Sequence, residues 1–351
     1  MISEQLKERQ KSILGYVIHQ YIITATPVGS RNLSKNYDLD VSPATVRNIM
    51  ADLEEFGYLG HPHTSAGRIP TDLGYRFYVD SLMHTPKLNK DDYDLIDSKF
   101  ENTISETDEI LKITSSILSN LTHQLACVSY PKFDNAVLEK IQLVSLSSSK
   151  LLVVISIRTG MIRTITLEIT TGYEKGSLKK IESFLNQRLS GLTFTEIRNT
   201  ITERVRSYSG SIKKPVIRVF LDSVEHIFKD AKTNEDTIIT GTKNILDQPE
   251  FSTAENFKSI IELAEDKDII IHIMDEKTSN HSGDVSVTIG SESNEEKLND
   301  YSVVVKEYNI GPVIGNIGII GPKRMEYSHT IASVTYMAEL LSKVFKNKRE
   351  G

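Results

Sequence analysis

The stretch from Ser42 to Asp52, SPATVRNIMAD, carries the strongest local instructions for secondary structure in this 351-residue chain. Ser42 is a typical N-cap residue, because its hydroxyl can accept a hydrogen bond from a free amide of the first turn. Pro43 has the backbone angle favoured at the first helical position. A helix is therefore predicted from Pro43 to Phe56, ended by Gly57. Its apolar residues recur at steps of three and four and predict one buried face: Val46, Ile49, Met50 and Leu53.

The other face of this helix carries side chains suited to contact with DNA. Pro43 and Ala44 are small, so the start of the helix can enter a major groove. Arg47 and Asn48 make paired hydrogen bonds to guanine and adenine edges, and we predict that they contact bases. Ser42, Thr45 and Ser65 are predicted to contact phosphates, Ser42 partly because a helix N-terminus attracts anions. An ordinary surface helix with a good cap has the same local pattern, so the neighbouring segments decide between the two interpretations.

The neighbouring segments predict a winged helix-turn-helix domain over residues 1–85. A first helix is predicted over Gln5 to Thr24, and a short second one over Arg31 to Tyr37. Downstream, Tyr58 to His61 can pair with Arg68 to Thr71 as a hairpin, and the loop Pro62 to Gly67 is the predicted wing. The residues expected to contact the DNA backbone or minor groove here are His63, Thr64, Ser65 and Arg68.

Six segments, PVGSR, SPATVRN, MADLEE, GYL, PHTSAGRIPT and GYRFYVD, follow one another in the order and spacing of a known family. They resemble the N-terminal domain of the heat-inducible transcription repressors, HrcA, and the resemblance continues less densely to the C-terminus. It implies a homodimeric repressor of chaperone operons that binds double-stranded DNA at an inverted-repeat operator, the CIRCE element. It also implies help from a GroEL-type chaperonin, and a GAF-like domain that carries an inserted dimerising domain.

The charge distribution is unusual for a DNA-binding chain. The formal net charge is -6, and the first 85 residues hold eight Lys or Arg against nine Asp or Glu. Because nonspecific binding to DNA depends on a basic excess, we expect weak nonspecific affinity and strong reliance on the specific site and on dimerisation.

The rest of the chain predicts an α+β domain interrupted by a mostly helical insertion. A linker near Pro86 is followed by a helical pattern over Asp91 to Leu125, which packs on its own domain's sheet or also forms a dimer contact. Strands are predicted over Leu138 to Ser145, Leu151 to Ile157, Arg163 to Ile169, Ile238 to Gly241, Asp268 to Met274, Val285 to Gly290, Tyr301 to Tyr308 and Val313 to Ile320. The predicted domains are 91–175 and 267–347, which are the two parts of the GAF-like domain, and 176–266, the inserted dimerising subdomain.

Other patterns predict neither an enzyme nor a metal or cofactor site. The glycines of GPVIGNIGIIGP match no nucleotide-binding motif and predict a turn followed by a tightly packed core strand. A small ligand beside that strand is the alternative, and it would make the protein a ligand-responsive transcription regulator. His61 and His63 lack a third metal ligand at a useful spacing, and His272 is predicted to be buried in the core. Nucleophile motifs and paired carboxylates typical of active sites are not recognisable.

Two further expectations concern the cellular setting. The sequence has no apolar run of about eighteen residues and its first residues are polar, so neither a membrane span nor a secretory signal is expected. We therefore expect a cytoplasmic protein. Cys127 is the sole cysteine and is predicted to be a small buried apolar residue.

Overall fold

The computed structural model of the chain describes residues 6–37, 41–62, 67–84, 87–100, 107–169, 175–206, 215–228, 237–279, 283–311 and 313–347. The fold is α+β, with helices and antiparallel strand pairs, as predicted. It divides into two compact units. The first consists of Met1–Val128, Thr237–Glu307 and Ile317–Met337, and the second of Ser129–Asp236, Tyr308–Asn316 and Ala338–Gly351. The predicted domain limits at residues 85, 175 and 266 differ from the limits of these two units, and they stay predictions.

The first unit begins with three helices, a hairpin and a fourth helix. These elements are α1 (Glu8–Thr24), α2 (Ser30–Asn36), α3 (Pro43–Glu55), β1 (Leu59–Gly60), β2 (Ile69–Pro70) and α4 (Asp72–Phe77), which continues as a π-helical turn over Tyr78–Leu82. Both α1 and α2 pack against α3. Their shared core consists of side chains that are at most 4% exposed: Ile13, Leu14, Val17, Ile18, Leu33, Val46, Met50 and Leu53.

A five-stranded sheet follows later in the chain. Its strands are β3 (Leu125–Ser129), β7 (Thr237–Thr240), β8 (Ser286–Ile289), β9 (Tyr301–Ile310) and β10 (Val313–Pro322). Their order in the sheet is β7-β3-β10-β9-β8. The helices after α4 that belong wholly or partly to the first unit are α5 (Lys90–Phe100), α6 (Thr107–Thr122), α11 (Thr242–Leu246), α12 (Ala254–Glu265), α13 (Lys267–Ser279) and α14 (Tyr327–Asn347). Cys127 lies in the apolar core of the first unit, as predicted, and burial raises the pKa of its thiol to about 12.

The predicted strand from Asp268 to Met274 is wrong, because this segment belongs to helix α13. Its run of isoleucines has the composition of a strand, and a short apolar run does not distinguish a strand from a buried helix. The buried residues Ile270, Ile273 and Met274 are spaced three and four apart, as on one face of a helix. His272 lies between them on the exposed side of α13, so its prediction as a core histidine is also wrong.

The predicted helical pattern over Asp91 to Leu125 consists of two helices and the start of a strand. Helix α6 ends at Thr122, and the next residue, His123, has a positive φ of 54° that stops the helix. Leu125 then begins β3, which pairs in antiparallel register with β10. Leu125 fits the spacing of the helix by coincidence, because a buried strand needs the same apolar side chain.

The second unit contains the predicted antiparallel meander as its own three-stranded sheet. Its elements are β4 (Leu138–Ser145), β5 (Lys150–Ile157), β6 (Ile162–Glu168), α7 (Lys175–Leu189), α8 (Phe194–Arg206), α9 (Pro215–Asp222) and α10 (Val224–Phe228). Helix α7 covers the outer edge of β4. The amide of Asn186 accepts from the Ile141 N–H at 2.7 Å and donates to its carbonyl at 2.8 Å, so this strand edge is blocked.

Candidate nucleic-acid interface

The start of α3 has the predicted cap. The Ser42 hydroxyl accepts from the Thr45 N–H at 3.2 Å, and Pro43 is the first helical residue. Gly57, with a φ of 81°, follows the last turn of the helix, as predicted. These local contacts hold the front of α3 in one orientation.

The predicted contact residues of α3 lie together on its open side. Ser42, Pro43, Ala44, Arg47 and Asn48 are exposed, and Thr45 is partly exposed. The opposite side is anchored by Val46, Met50 and Leu53, which are buried. Exposed cations also occur on the adjacent helix α2, at Arg31 and Lys35, which the sequence analysis did not select. The arrangement offers an amide, a guanidinium and hydroxyls on a helix front that no other described segment covers.

Helix α2 is tied to α1 by a small aromatic cluster around Tyr37. The Tyr37 hydroxyl lies 2.8 Å from Nδ1 of His19, and its ring centre lies 4.3 Å from that of Tyr16. Burial raises the pKa of the Tyr37 phenol above its ordinary value, with a smaller contribution from Tyr16. The phenol therefore stays neutral, and α2 has a fixed position beside α3.

The hairpin is paired as predicted, with Leu59 opposite Pro70 and Gly60 opposite Ile69. Its first strand is joined to α4 by Thr71, whose hydroxyl donates to the Gly57 carbonyl at 2.7 Å. Three of the predicted contact residues, His63, Thr64 and Ser65, lie outside the described residues. The described part therefore shows the paired base of the hairpin, and both the wing and the contacts at its tip stay predictions.

Glu54, near the end of α3, contacts a residue next to each strand of the hairpin. Its carboxylate accepts from Nη2 of Arg68 at 2.7 Å and contacts Nδ1 of His61. The backbone of Arg68 also pairs with Val28 through hydrogen bonds of 2.8 and 2.9 Å. Arg68 is thus engaged by the protein, and a phosphate would compete with Glu54 for its guanidinium. Positions 54, 61 and 68 are not on one helix, so their sequence spacing does not predict the contact. The pairing of the hairpin brings them together.

At Gly67 the backbone passes very close to the backbone of the segment that precedes α2. A Cβ atom at this position would lie 2.5 Å from the Val28 carbonyl oxygen and 2.8 Å from the Pro27 carbonyl carbon. Both obstacles are backbone, which cannot rotate away. The glycine of the AGRIP segment is therefore explained by a close approach of two backbones.

The glycine-rich strand β10 is packed against the protein's own side chains, as predicted. A Cβ at Gly315 would overlap the Tyr308 ring in the second unit. In the first unit, a Cβ at Gly318 would lie 2.8 Å from the Val304 carbonyl oxygen, and one at Gly321 would overlap the Gln124 side chain. These three positions make room for tight packing of the sheet.

Two possible features are absent from the described parts of the chain. There, the His, Cys, Asp and Glu side chains form no group that could hold a metal ion. Likewise, none of the helices described has the length and apolar character that a bilayer crossing requires.

Comparison with known proteins places the chain in a family. Residues 108–331 match the family described as HrcA protein C-terminal domain. A heat-inducible transcription repressor HrcA of Chlorobium phaeobacteroides (strain BS1) is 37% identical, over 97% of this chain and 99% of the relative. The repressor of the same name from Chlorobaculum tepidum is 38% identical, over 95% and 96% of the two chains.

A solved structure gives the same fold. The crystal structure of a hypothetical protein at 2.2 Å resolution matches with a TM-score of 0.59 and 22% identity, over 98% of this chain and 99% of that one. At this identity the likeness concerns the fold alone. The relatives, by contrast, are similar over nearly their whole length. The chain therefore belongs to the HrcA family of heat-inducible transcription repressors.

Proposed function

We propose that this protein represses chaperone operons as a homodimer that binds an inverted-repeat operator, the CIRCE element, and releases it on heat stress. The exposed polar front of α3 carries this proposal, because it combines a fixed cap with side chains suited to base edges and phosphates. Family membership supports the same role. In this proposal α1 to α3 and the hairpin form a winged helix-turn-helix, and the five-stranded sheet belongs to a GAF-like domain.

Each predicted contact residue has a distinct part in this interface. Arg47 and Asn48 read base edges, while Pro43 and Ala44 leave room for the groove wall. Ser42 and Thr45 face phosphates at the helix N-terminus. The wing residues His63, Thr64, Ser65 and Arg68 contact the DNA backbone or minor groove. Because the domain has no basic excess, sequence-specific contacts and the second protomer supply most of the affinity.

Replacing Arg47 with alanine is expected to lower operator affinity by about 1 to 3 kcal/mol, through one base position in each half-site. The loss arises because a paired hydrogen bond to a base edge disappears. Binding to operators with single base changes measures it, since the variant should no longer distinguish bases at that one position. Lys297, an exposed cation outside the predicted dimerising subdomain, provides the control: Lys297→Ala should leave affinity unchanged. An equal loss for Arg47→Ala on every DNA sequence would contradict base reading by this residue.

A second copy of the chain completes the operator-binding form, because an inverted repeat requires a twofold axis. The outer face of the sheet β4-β5-β6 supports the position of this contact. On this face, Val144 of β4 pairs with Leu152 of β5, and Val154 lies two residues further along β5. Ile162, at the start of β6, lies on the same face and is 68% exposed. The part of the predicted dimerising subdomain 176–266 that precedes Thr237 belongs to the same compact unit, and the remainder belongs to the first unit. We propose that two such faces meet.

Replacing Ile162 with aspartate is expected to raise the dimer dissociation constant by at least about tenfold, because a charge would replace an apolar side chain in the contact. Sedimentation velocity of the full-length protein over a concentration series measures it. Ile23→Asp is the matched control, since Ile23 at the end of α1 is 64% exposed and lies outside the sheet. Unchanged dimerisation of the Ile162 variant would place the dimer contact elsewhere.

Heat release needs only a folded, dimeric state of small net stability, because a loss of a few kcal/mol on warming then empties the operator. We propose that a GroEL-type chaperonin restores the active state. Binding of purified protein to a labelled inverted repeat and to a single half-site tests the whole proposal, before and after brief heating and with or without chaperonin. Tight binding to the full repeat, lost on heating and restored by chaperonin, is expected. Operator binding that is unchanged by heating and by chaperonin would favour the alternative of a ligand-responsive regulator.

A further inference from the structure

Two charged residues on one face of α4 connect the DNA-reading part of the first unit to the turn after strand β8. Asp72 accepts from the backbone N–H of Ser291 at 3.0 Å and from its hydroxyl at 2.8 Å, and its other oxygen pairs with Lys323 at 2.8 Å. One helical turn later, Arg76 donates from Nε to Glu292 at 2.7 Å and from Nη2 to the Val287 carbonyl at 2.7 Å. The partners are more than 200 positions away in the chain.

The turn Gly290–Glu292 is shaped to receive these two side chains. Gly290 has a φ of 49°, and a Cβ atom there would overlap the Asp72 carboxylate. Glu292 is oriented in advance, because its carboxylate also accepts from the Ile289 N–H at 2.9 Å. A preoriented carboxylate loses little side-chain entropy when the planar guanidinium of Arg76 binds it at two oxygens.

Both groups stay charged through the physiological pH range. Burial opposes ionisation of Asp72, but the hydrogen bonds from Lys323 and Ser291 outweigh it and lower the pKa of the carboxyl. The hydrogen bond to Glu292 is the main reason that the pKa of Arg76 is raised. Between them on α4, the ring of Tyr75 is buried and its centre lies 5.9 Å from that of Tyr327. The contact therefore combines a small apolar centre with charged hydrogen bonds on two sides.

Rigid connections run from this contact to the proposed reading helix. The Thr71 hydroxyl accepts from the Gly74 N–H of α4 at 3.1 Å and donates to the Gly57 carbonyl just after α3. A rotation of α4 on the turn Gly290–Glu292 would therefore carry α3 with it. A separate contact holds α1, since Arg324 donates to the Ile22 carbonyl at 2.7 Å and pairs with Glu250.

We propose that Asp72 and Arg76 are positioning residues for operator binding. They fix the angle of the reading helix on the remainder of the first unit and so remove one of the freedoms that would vary the separation of the two reading helices in a dimer. This inference rests on the proposed function. A fixed separation raises the effective concentration of the second reading helix at its half-site only when the half-sites have the matching spacing. Loosening the contact lowers that advantage and leaves recognition of one half-site intact.

The test measures the affinity of the full-length protein for inverted repeats whose spacers differ by one or two base pairs, and for a single half-site. The unaltered protein is expected to have a narrow spacer optimum. Arg76→Gln should weaken binding at the optimum by about tenfold and flatten the spacer profile, with half-site affinity unchanged. Arg76→Lys keeps the charge but loses the two-oxygen contact. Its affinity at the optimum spacer should lie between those of the unaltered protein and Arg76→Gln. Ser291→Ala, a milder change on the other side of α4, should shift the profile in the same direction.

Lys297→Gln is the matched control, because it removes an ion pair with Asp266 that involves no residue before α5. It should leave the spacer profile unchanged. Folded Arg76 and Ser291 variants with the profile of the unaltered protein would overturn the positioning role. Equal losses by Arg76→Gln on the half-site and the full repeat would also overturn it, since they would indicate damage to the reading helix itself. If the unaltered protein binds no inverted repeat, the proposed function fails, and this inference fails with it.

Discussion

Replacing Leu53 with alanine is expected to lower the stability of the N-terminal helices by about 2 to 5 kcal/mol. Leu53 lies on the inner side of α3 and is fully buried among the helices that support it. The variant loses the transfer free energy of the removed methyl groups and leaves a cavity that the surrounding helices fill incompletely. Amide hydrogen exchange of α1 to α3 measures the change as local opening free energies, which suits a protein with two compact units.

The same variant should release the operator at a lower temperature, because unfolding of α3 removes the reading surface. Leu73→Ala is the matched control. Leu73 lies on α4 and is 49% exposed, so the same deletion there should change stability by less than about 0.5 kcal/mol. Equal losses from the two substitutions would mean that α3 is not anchored through its inner face.

Replacing Gly74 with alanine is expected to lower the stability of the same helices by about 3 kcal/mol, near the upper end for overpacking. A Cβ atom at Gly74 would overlap the carbonyl oxygen of Tyr58, which belongs to the backbone at the start of the hairpin. The obstacle cannot change rotamer, so α4 must move away from the hairpin. Hydrogen exchange of the α4 and hairpin amides measures the effect, and weaker operator binding should accompany it.

The control is Gly15→Ala in the interior of α1. A Cβ there would meet only the Leu82 side chain, at an ordinary contact distance of 3.9 Å. Because alanine is a better helix former than glycine, this variant should gain about 0.5 to 1 kcal/mol. Opposite signs for two identical substitutions would separate a steric effect from a helix-propensity effect. A tolerated Gly74→Ala would contradict the close packing of α4 on the hairpin.

The local features of the proposed reading surface were predictable because their causes lie within a few residues. The cap at Ser42 and the stop at Gly57 each depend on hydrogen bonds or backbone angles over a span of about one helical turn. The meander β4-β5-β6 was predictable for the same reason, since alternation and short turns are local. The segment Asp268 to Met274 was predicted wrongly because its composition fits two structures, and only packing against the core of the first unit selects the helix.

The candidate site likewise contains features that were predicted from sequence and contacts that only the folded chain shows. Sequence placed Ser42, Thr45, Arg47 and Asn48 on one face of a helix, and their contacts with DNA stay predictions. It gave no sign that Glu54 would engage Arg68 and His61, because that contact needs the hairpin to close. The contact residues at the wing tip lie outside the described residues and are known only as predictions.

Sequence by itself determined the order of helices and hairpin at the N-terminus, the capped helix α3 and the family of the chain. Tertiary structure alone decided how these N-terminal elements are attached to the remainder of the first unit. The pairs Asp72 with Ser291 and Arg76 with Glu292 join positions separated by 219 and 216 residues. Periodicity and propensity act over one or two helical turns, so they carry no information about such a pair. Only the folded chain brings these charges together, where charge-assisted hydrogen bonds join them.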